Sequence, residues 1–169
     1  DRRDDPADPR KGIYNTVDLG LAEHFVGSQR NFLRFLGRNS TYHPLSRRLV
    51  LARSVTFGEL YGYRYDGDNS QAIPLAERFF AGGDRSVRGF ALNSLSPPLP
   101  ASETKTGVSS GQGGGGEHKV VASIEFERDF RRNFRGAVFF DTGNAFNDWS
   151  TPLEYSVGVG VRWRLPMLM

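Results

Sequence analysis

The sequence predicts an all-β chain: an antiparallel sheet of about six strands whose two faces have the polarity of a transmembrane β-barrel wall. Three observations carry that expectation. Residues 119–130, 134–146 and 154–164 alternate apolar and polar side chains with period two. The last of these segments has an aromatic residue at each end of its apolar row. Twenty glycines and 13 phenylalanines in 169 residues give a glycine and aromatic bias typical of sheets and barrels, against an average glycine usage of about 7%. No segment approaches the roughly 18 uninterrupted apolar residues of a membrane-spanning helix, and the charged N-terminus does not read as a signal peptide. The absence of cysteine removes disulfides, thiolate metal sites and thiol nucleophiles. With 22 basic and 19 acidic residues the net charge is +3, too small to recruit nucleic acid.

Residues 1–12 are charged and Pro-containing, and read as a connector or turn. From Tyr14 a first strand places Val17, Leu19, Leu21 and Phe25 on one side and Asp18, Gly20, Ala22 and His24 on the other. Residues 31–42 and 48–60 form a second and third strand around the turn His43-Pro44-Leu45-Ser46, with faces blurred by Arg34, Arg38 and Arg53. An Arg such as Arg53 on a lipid face near midplane costs roughly 2 to 4 kcal/mol, which counts towards a soluble sheet. Residues 61–117 then form a loop of 57 residues, far beyond the roughly 12 to 15 at which structureless loops become uncommon. Its second half, residues 97–117, is rich in Pro, Ser and Gly and is expected to be variable or disordered. Glycines 113–116 lack the GK[ST] ending of a phosphate loop and read as linker. Tyr61, Tyr63 and Tyr65 beside Arg64 suit an aromatic girdle better than a nucleic-acid stacking platform.

In the fourth strand Val120, Ala122, Ile124 and Phe126 oppose Val121, Ser123, Glu125 and Glu127. A short turn at 131–133 leads to the fifth, where Val138 and Phe140 oppose Ala137, Phe139, Asp141 and Gly143. In the sixth, Tyr155, Val157, Val159, Val161 and Trp163 oppose Ser156, Gly158, Gly160, Arg162 and Arg164. Tyr155 to Trp163 covers about 26 Å of extended chain, or about 19 Å of depth at 45° tilt. A Gly, Ser and Arg face does not make a dry sandwich interior but suits a wet lumen. A soluble antiparallel sheet with one hydrated face gives the same alternation.

Enzymatic and metal chemistry find little footing. Phe140-Asp141-Thr142-Gly143 looks like the Asp-Thr-Gly of aspartic proteases, yet there is one copy, Asn144 follows it, and no flap is visible. His24, His43 and His118 lack metal-ligand spacing. No catalytic residue, metal or cofactor is expected.

Residues 77–90, ERFFAGGDRSVRGF, resemble the lumen-inserted loop of the BamA and TamA superfamily of outer-membrane assembly barrels. Its core is Val87-Arg88-Gly89-Phe90, preceded by Gly82 and Gly83, with an Asp84-Arg85-Ser86 spacer that looks more like the TamA branch. Ala122 to Phe126 and Val138 to Asn144 resemble the next two strands, in the family's order. The resemblance implies a 16-stranded barrel of the bacterial outer membrane with POTRA modules upstream. Residues 13–169 would be a partial barrel of that kind, its loop 61–117 extracellular at the base and inserted into the lumen. It further implies a non-enzymatic factor that helps β-barrel or autotransporter clients insert into the bilayer, with a periplasm-spanning TamB-like partner reached through POTRA modules. Leu165 to Met169 depart from the family's closing strand.

Within that frame Arg88 has two expected partners. A guanidinium with five donors in a lumen is best satisfied by carboxylates, and Glu125 and Asp141 stand on the polar side of adjacent strands. Phe139 and Gly143 on the same face are expected to support them, Gly89 to give backbone latitude and Phe90 to pack the loop base. Two other readings stay open: a two-partner-secretion polypeptide transporter of the same superfamily, and a soluble β-rich binding module.

Overall fold

The computed structural model describes residues 1–23, 31–63, 73–98, 113–131 and 134–163. Six strands, β1 (Gly12–Ala22), β2 (Phe32–Pro44), β3 (Leu49–Gly62), β4 (His118–Arg131), β5 (Phe134–Phe146) and β6 (Glu154–Trp163), follow one another in chain order. They form one sheet, β1-β2-β3-β4-β5-β6, in which every neighbouring pair is antiparallel. β2, β3 and β4 differ by one or two residues from the expected ends, and β1 starts at Gly12, within the expected connector. His24, Phe25, Arg64, Tyr65, Arg164 and residues 165–169 lie outside the described residues. At one end of the sheet the β2–β3 turn is closed by the Leu45 N–H donating to the Leu49 carbonyl at 2.9 Å. Only residues 132 and 133 join β4 to β5 at that same end. The long segment between β3 and β4 leaves from the opposite end.

The two faces are inverted relative to a water-soluble sheet. Val157, Val159 and Val161 are 76%, 81% and 76% exposed, whereas Glu125, Glu127, Arg135 and Asp141 are all buried on the other face. Val17, Leu19, Ile124, Phe126, Val138 and Phe140 extend the exposed apolar surface across the sheet. An apolar exterior with a charged interior is stable in lipid, where strands satisfy their backbone groups laterally. Among the described residues no helix is long and apolar enough to cross a membrane. Arg53 does stand on the outward face, across from Ile124. Its Nη2 lies 2.9 Å from Nε2 of His43, so the side chain leans towards the short-turn rim instead of standing at mid-depth, the manoeuvre that lets a long cation keep its head near water.

The apolar core lies between the inner wall and the loop. Ile73, Phe79, Ala81, Val87 and Leu95 pack against Phe32, Leu60, Val121 and Ala145, with Leu36 and Phe90 partly buried alongside. Phe90, the last residue of the motif, is partly buried against this cluster, which includes Ile73 and Phe79 at the loop base. The base is also closed by an antiparallel bridge between Phe79 and Gly116, with mutual N–H to carbonyl bonds of 2.9 and 2.8 Å. Arg78 ties the same base, donating from Nε to the Ile73 carbonyl at 2.9 Å and from Nη1 to that of Gly114 at 3.0 Å. Glycines 114–116, expected as linker, are buried. A Cβ at Gly116 would lie 2.3 Å from the Phe146 nitrogen, so close backbone approach, not flexibility, is what glycine supplies there.

Residues 1–12 fold back on the short-turn end. The Asp4 carboxylate accepts from the N–H groups of Asp5, Arg10 and Lys11 at 3.0, 2.9 and 3.1 Å. Those bonds, Lys11's above all, hold its carboxyl below the usual aspartate range. Arg10 pairs with Asp129 and Asp8 with Arg135 at 2.6 Å, so the segment is tied to the inner wall and is more than an exposed connector.

Candidate functional site

The loop turns at its tip through residues 83–86, where the Ser86 N–H donates to the Gly83 carbonyl at 3.0 Å. Gly82 and Gly83 hold φ of 96° and 93°, left-handed values that side chains other than glycine adopt only with strain. This geometry carries the chain back so that Val87 is fully buried and Arg88 faces the inner wall of β4 and β5. Gly89 has φ 87°. A Cβ there would meet nothing nearer than Ser156 at 3.7 Å, so conformation rather than space requires glycine.

Register explains why four side chains meet Arg88. Ser123 pairs with Asp141 and Glu125 with Phe139 across β4 and β5, and the two pairs are consecutive inward positions. Arg88 donates from Nε to Asp141 Oδ2 at 2.7 Å and from Nη2 to Oδ1 at 2.8 Å, a bidentate fork. Its backbone N–H adds a third bond to Oδ2 at 3.1 Å. Nη1 reaches Glu125 Oε2 at 2.5 Å and Nη2 reaches the Ser123 hydroxyl at 3.2 Å. Ser123 in turn donates to Asp141 Oδ1 at 2.6 Å. The guanidinium carbon sits 3.5 Å from the centroid of the Phe139 ring. Asp141 is 0% exposed and Glu125 7%, so these carboxylates depend on the protein for solvation. Arg88 is held firmly protonated, its affinity for the proton raised chiefly by the hydrogen bond to Asp141 against the opposing cost of desolvation.

Phe139 lies flat because the next strand leaves room for it. It pairs with Gly158 on β6, and a Cβ at Gly158 would stand 2.4 Å from the ring. The ring cannot yield towards the lumen, where Arg88 covers its other side. Gly158→Ala is therefore expected to destabilise the fold by about 1 to 3 kcal/mol, the usual range for overpacking. Gly160→Ala, with nothing within 4 Å of its Cβ, should stay within about 0.5 kcal/mol of the parent. Equilibrium unfolding in lipid or detergent compares the two, and equal effects would reject the packing of Phe139 over Gly158. Gly143 acts elsewhere: its Cβ would lie 2.5 Å from the Val120 carbonyl oxygen, so it lets β5 press against β4 and does not contact the arginine.

The ion pairs continue down the wall. Arg162 on β6 donates to Glu125 at 2.8 Å and also pairs with Glu127. Glu127 accepts from Arg135 at 2.7 Å, and Arg135 also holds Asp129 at 2.8 Å and Asp8 at 2.6 Å. Alternating charges thus run without a break from the loop motif to residues 8–10. Of the residues singled out from sequence, Arg88, Glu125, Asp141 and Phe139 converge. Val87 and Phe90 pack beside them, while Gly82, Gly83, Gly89 and Gly143 shape backbone. Ser123, Gly158, Arg162 and Arg135 were not singled out as partners. Their inward parity was the available signal, shared with ordinary hydrated positions. Among the described residues no cluster of His, Asp and Glu suits a metal ion.

An antiparallel wall with an apolar exterior, a charged interior and a long loop pinned to that interior defines a section of transmembrane β-barrel. The Omp85 superfamily domain matches residues 1–169, and the chain belongs to that superfamily. It is 28% identical over 175 residues to the outer membrane protein assembly factor BamA of Nitratidesulfovibrio vulgaris, covering 99% of this chain and 20% of that protein. It is 32% identical over 100 residues to a SAM50-like protein of Schizosaccharomyces pombe, covering 57% of this chain and 20% of the other. The crystal structure of BamA from Haemophilus ducreyi lacking POTRA domains 1–3 superimposes with a TM-score of 0.77 at 22% identity, over 98% of this chain and 35% of that one. The chain thus spans 20% of the length of these curated relatives.

Proposed function

We propose that this chain forms part of the wall of an outer-membrane protein assembly barrel, in which Arg88 pins the long loop inside the lumen so that client β-strands can be inserted nearby. The observation that carries the reading is the set of bonds from Arg88 to Asp141, Glu125 and Ser123. The names of the matched relatives support it. The work is non-covalent: a pinned loop stiffens β4 to β6 while the bilayer elsewhere deforms to admit a client. The outer strands β1 and β6 present unpaired backbone edges among the described residues, and in lipid such edges need partner strands from the same chain or another. The Asp84-Arg85-Ser86 spacer favours a TamA-like branch with autotransporter clients and a TamB-like partner, although the curated relatives above are BamA and SAM50-like proteins. The test is reconstitution into lipid vesicles and measurement of client folding rate. Protein-loaded vesicles should fold a β-barrel client faster than empty ones, with autotransporters favoured over other barrels. No acceleration of either class would overturn the proposal, and acceleration of ordinary barrels alone would remove the TamA-like branch.

A further inference from the structure

We propose that Arg47, Arg48 and Arg128 form a binding site for the phosphate of an anionic phospholipid at the short-turn rim of the wall. Ser46, Arg47, Arg48, Leu49 and Arg128 line a groove of about 440 Å³. Leu49 and Arg128 are cross-strand partners, and Arg128 lies between Phe126 and Phe130 on the outward face, which are 46% and 61% exposed. Its guanidinium carbon is 5.8 Å from the Phe130 ring centroid. Leu45, in the adjoining turn, is also exposed. The groove therefore straddles the end of the apolar surface, the depth at which headgroups meet acyl chains.

The charge there is uncompensated. None of the three arginines makes an ion pair among the described residues, and the carboxylates flanking Arg128 in sequence, Glu127 and Asp129, are engaged on the opposite face by Arg162, Arg135 and Arg10. The turn that projects Arg47 and Arg48 is fixed through its backbone groups, which leaves both guanidinium groups out of these bonds. The Arg48 carbonyl accepts from the Asp129 N–H at 2.9 Å, the Arg47 carbonyl from Arg10 Nη2 at 2.9 Å, and the Ser46 hydroxyl from the Arg48 N–H at 3.2 Å. Guanidinium forks match phosphate oxygens in geometry as well as charge. The flanking phenylalanines and leucines give the glycerol and upper acyl carbons an apolar seat, which selects a lipid over free phosphate.

The inference rests on the reading that the outward face meets lipid, and the experiment separates the two. Protein is first reconstituted into phosphatidylcholine alone, then into mixtures with phosphatidylglycerol, and retained lipid is counted by native mass spectrometry. The parent should insert in both and retain phosphatidylglycerol preferentially. Each Arg→Gln change should weaken that preference about fivefold, and the triple change on the order of a hundredfold. A parent protein that inserts but retains both lipids equally overturns the site and leaves the membrane reading intact, whatever the variants do. Failure to insert into phosphatidylcholine overturns both. Displacement of phosphatidylglycerol by millimolar inorganic phosphate would show a free-phosphate site and reject the lipid assignment.

Discussion

Arg88→Ala is expected to release the loop from the inner wall and to destabilise the folded protein by about 3 to 5 kcal/mol, the range for breaking one side of a buried charge pair. The magnitude follows from what is left behind. Asp141 is fully buried and takes three of its bonds from Arg88. Of these, only the one to the backbone N–H survives in alanine. Ser123 still donates to it, but one hydroxyl does not balance a carboxylate. Glu125 fares better, because Arg162 reaches it from β6 at 2.8 Å. The loss is therefore dominated by Asp141, and Arg88→Ala combined with Asp141→Asn should cost less than the two single changes added together. Arg88→Lys keeps the charge but not the planar fork, so it should recover only part of the loss. Protease cleavage between residues 73 and 98 in membrane-reconstituted protein reads the release directly, and client folding rate reads its consequence. Unchanged protection together with an unchanged rate for Arg88→Ala would reject the clamp.

The same buried loop explains which parts of the fold were legible in the sequence. β4, β5 and β6 show clean alternation because their inner positions carry Glu125, Asp141, Arg162 and glycines, visibly different from the valines and phenylalanines outside. β2 and β3 do not, because their inner face is partly roofed by the loop, where Phe32 and Leu60 pack with Ile73 and Phe79, and because Val50 is buried inward at the short-turn end, so both faces carry apolar residues. Outside, Asn15 and Asn39 hydrogen-bond to each other at 2.5 Å and Arg53 leans on His43, which blurs the pattern further. The carboxylate partners of Arg88 were readable because a loop that resembles a lumen-inserted one brings in a guanidinium that needs acids, and Glu125 and Asp141 stand on the polar parity of adjacent strands. Ser123 and Arg162 were not, as a hydroxyl or an arginine on that parity fits plain hydration equally well. Glycines 113–116 misled for a related reason: a residue without a side chain carries no mark of burial, and the same four letters serve a free linker or a tightly packed seam.

Arg135→Ala is expected to rank next in cost, and it tests whether the ion pairs below the motif act as one structure. Arg135 is 3% exposed and its guanidinium is shared among Glu127, Asp129 and Asp8. Removing it strands Glu127, which is 6% exposed, with Arg162 as its remaining ion-pair partner among the described residues. A loss of about 3 kcal/mol follows, at the lower end for a buried pair because Asp129 keeps Arg10 and the Asp8 side chain is already 37% exposed. Arg162→Ala makes a useful contrast. Its side chain is 52% exposed, so although it touches two carboxylates its removal should cost no more than about 1 kcal/mol. The second readout is local. With the Arg135–Asp8 pair gone, the turn built on Asp4 keeps its ties through Arg10 to Asp129 and the Arg47 carbonyl but loses one anchor, and the amides of Arg10 and Lys11, which donate to Asp4, should exchange with solvent faster in Arg135→Ala than in the parent. Arg88→Ala should leave those two amides unchanged unless the chain through Glu125, Arg162 and Glu127 transmits the loss of the loop. A double change at 88 and 135 whose cost departs from the sum by more than about 0.5 kcal/mol would establish that coupling; strict additivity with independent exchange would show two separate anchors, one for the loop and one for residues 1–12.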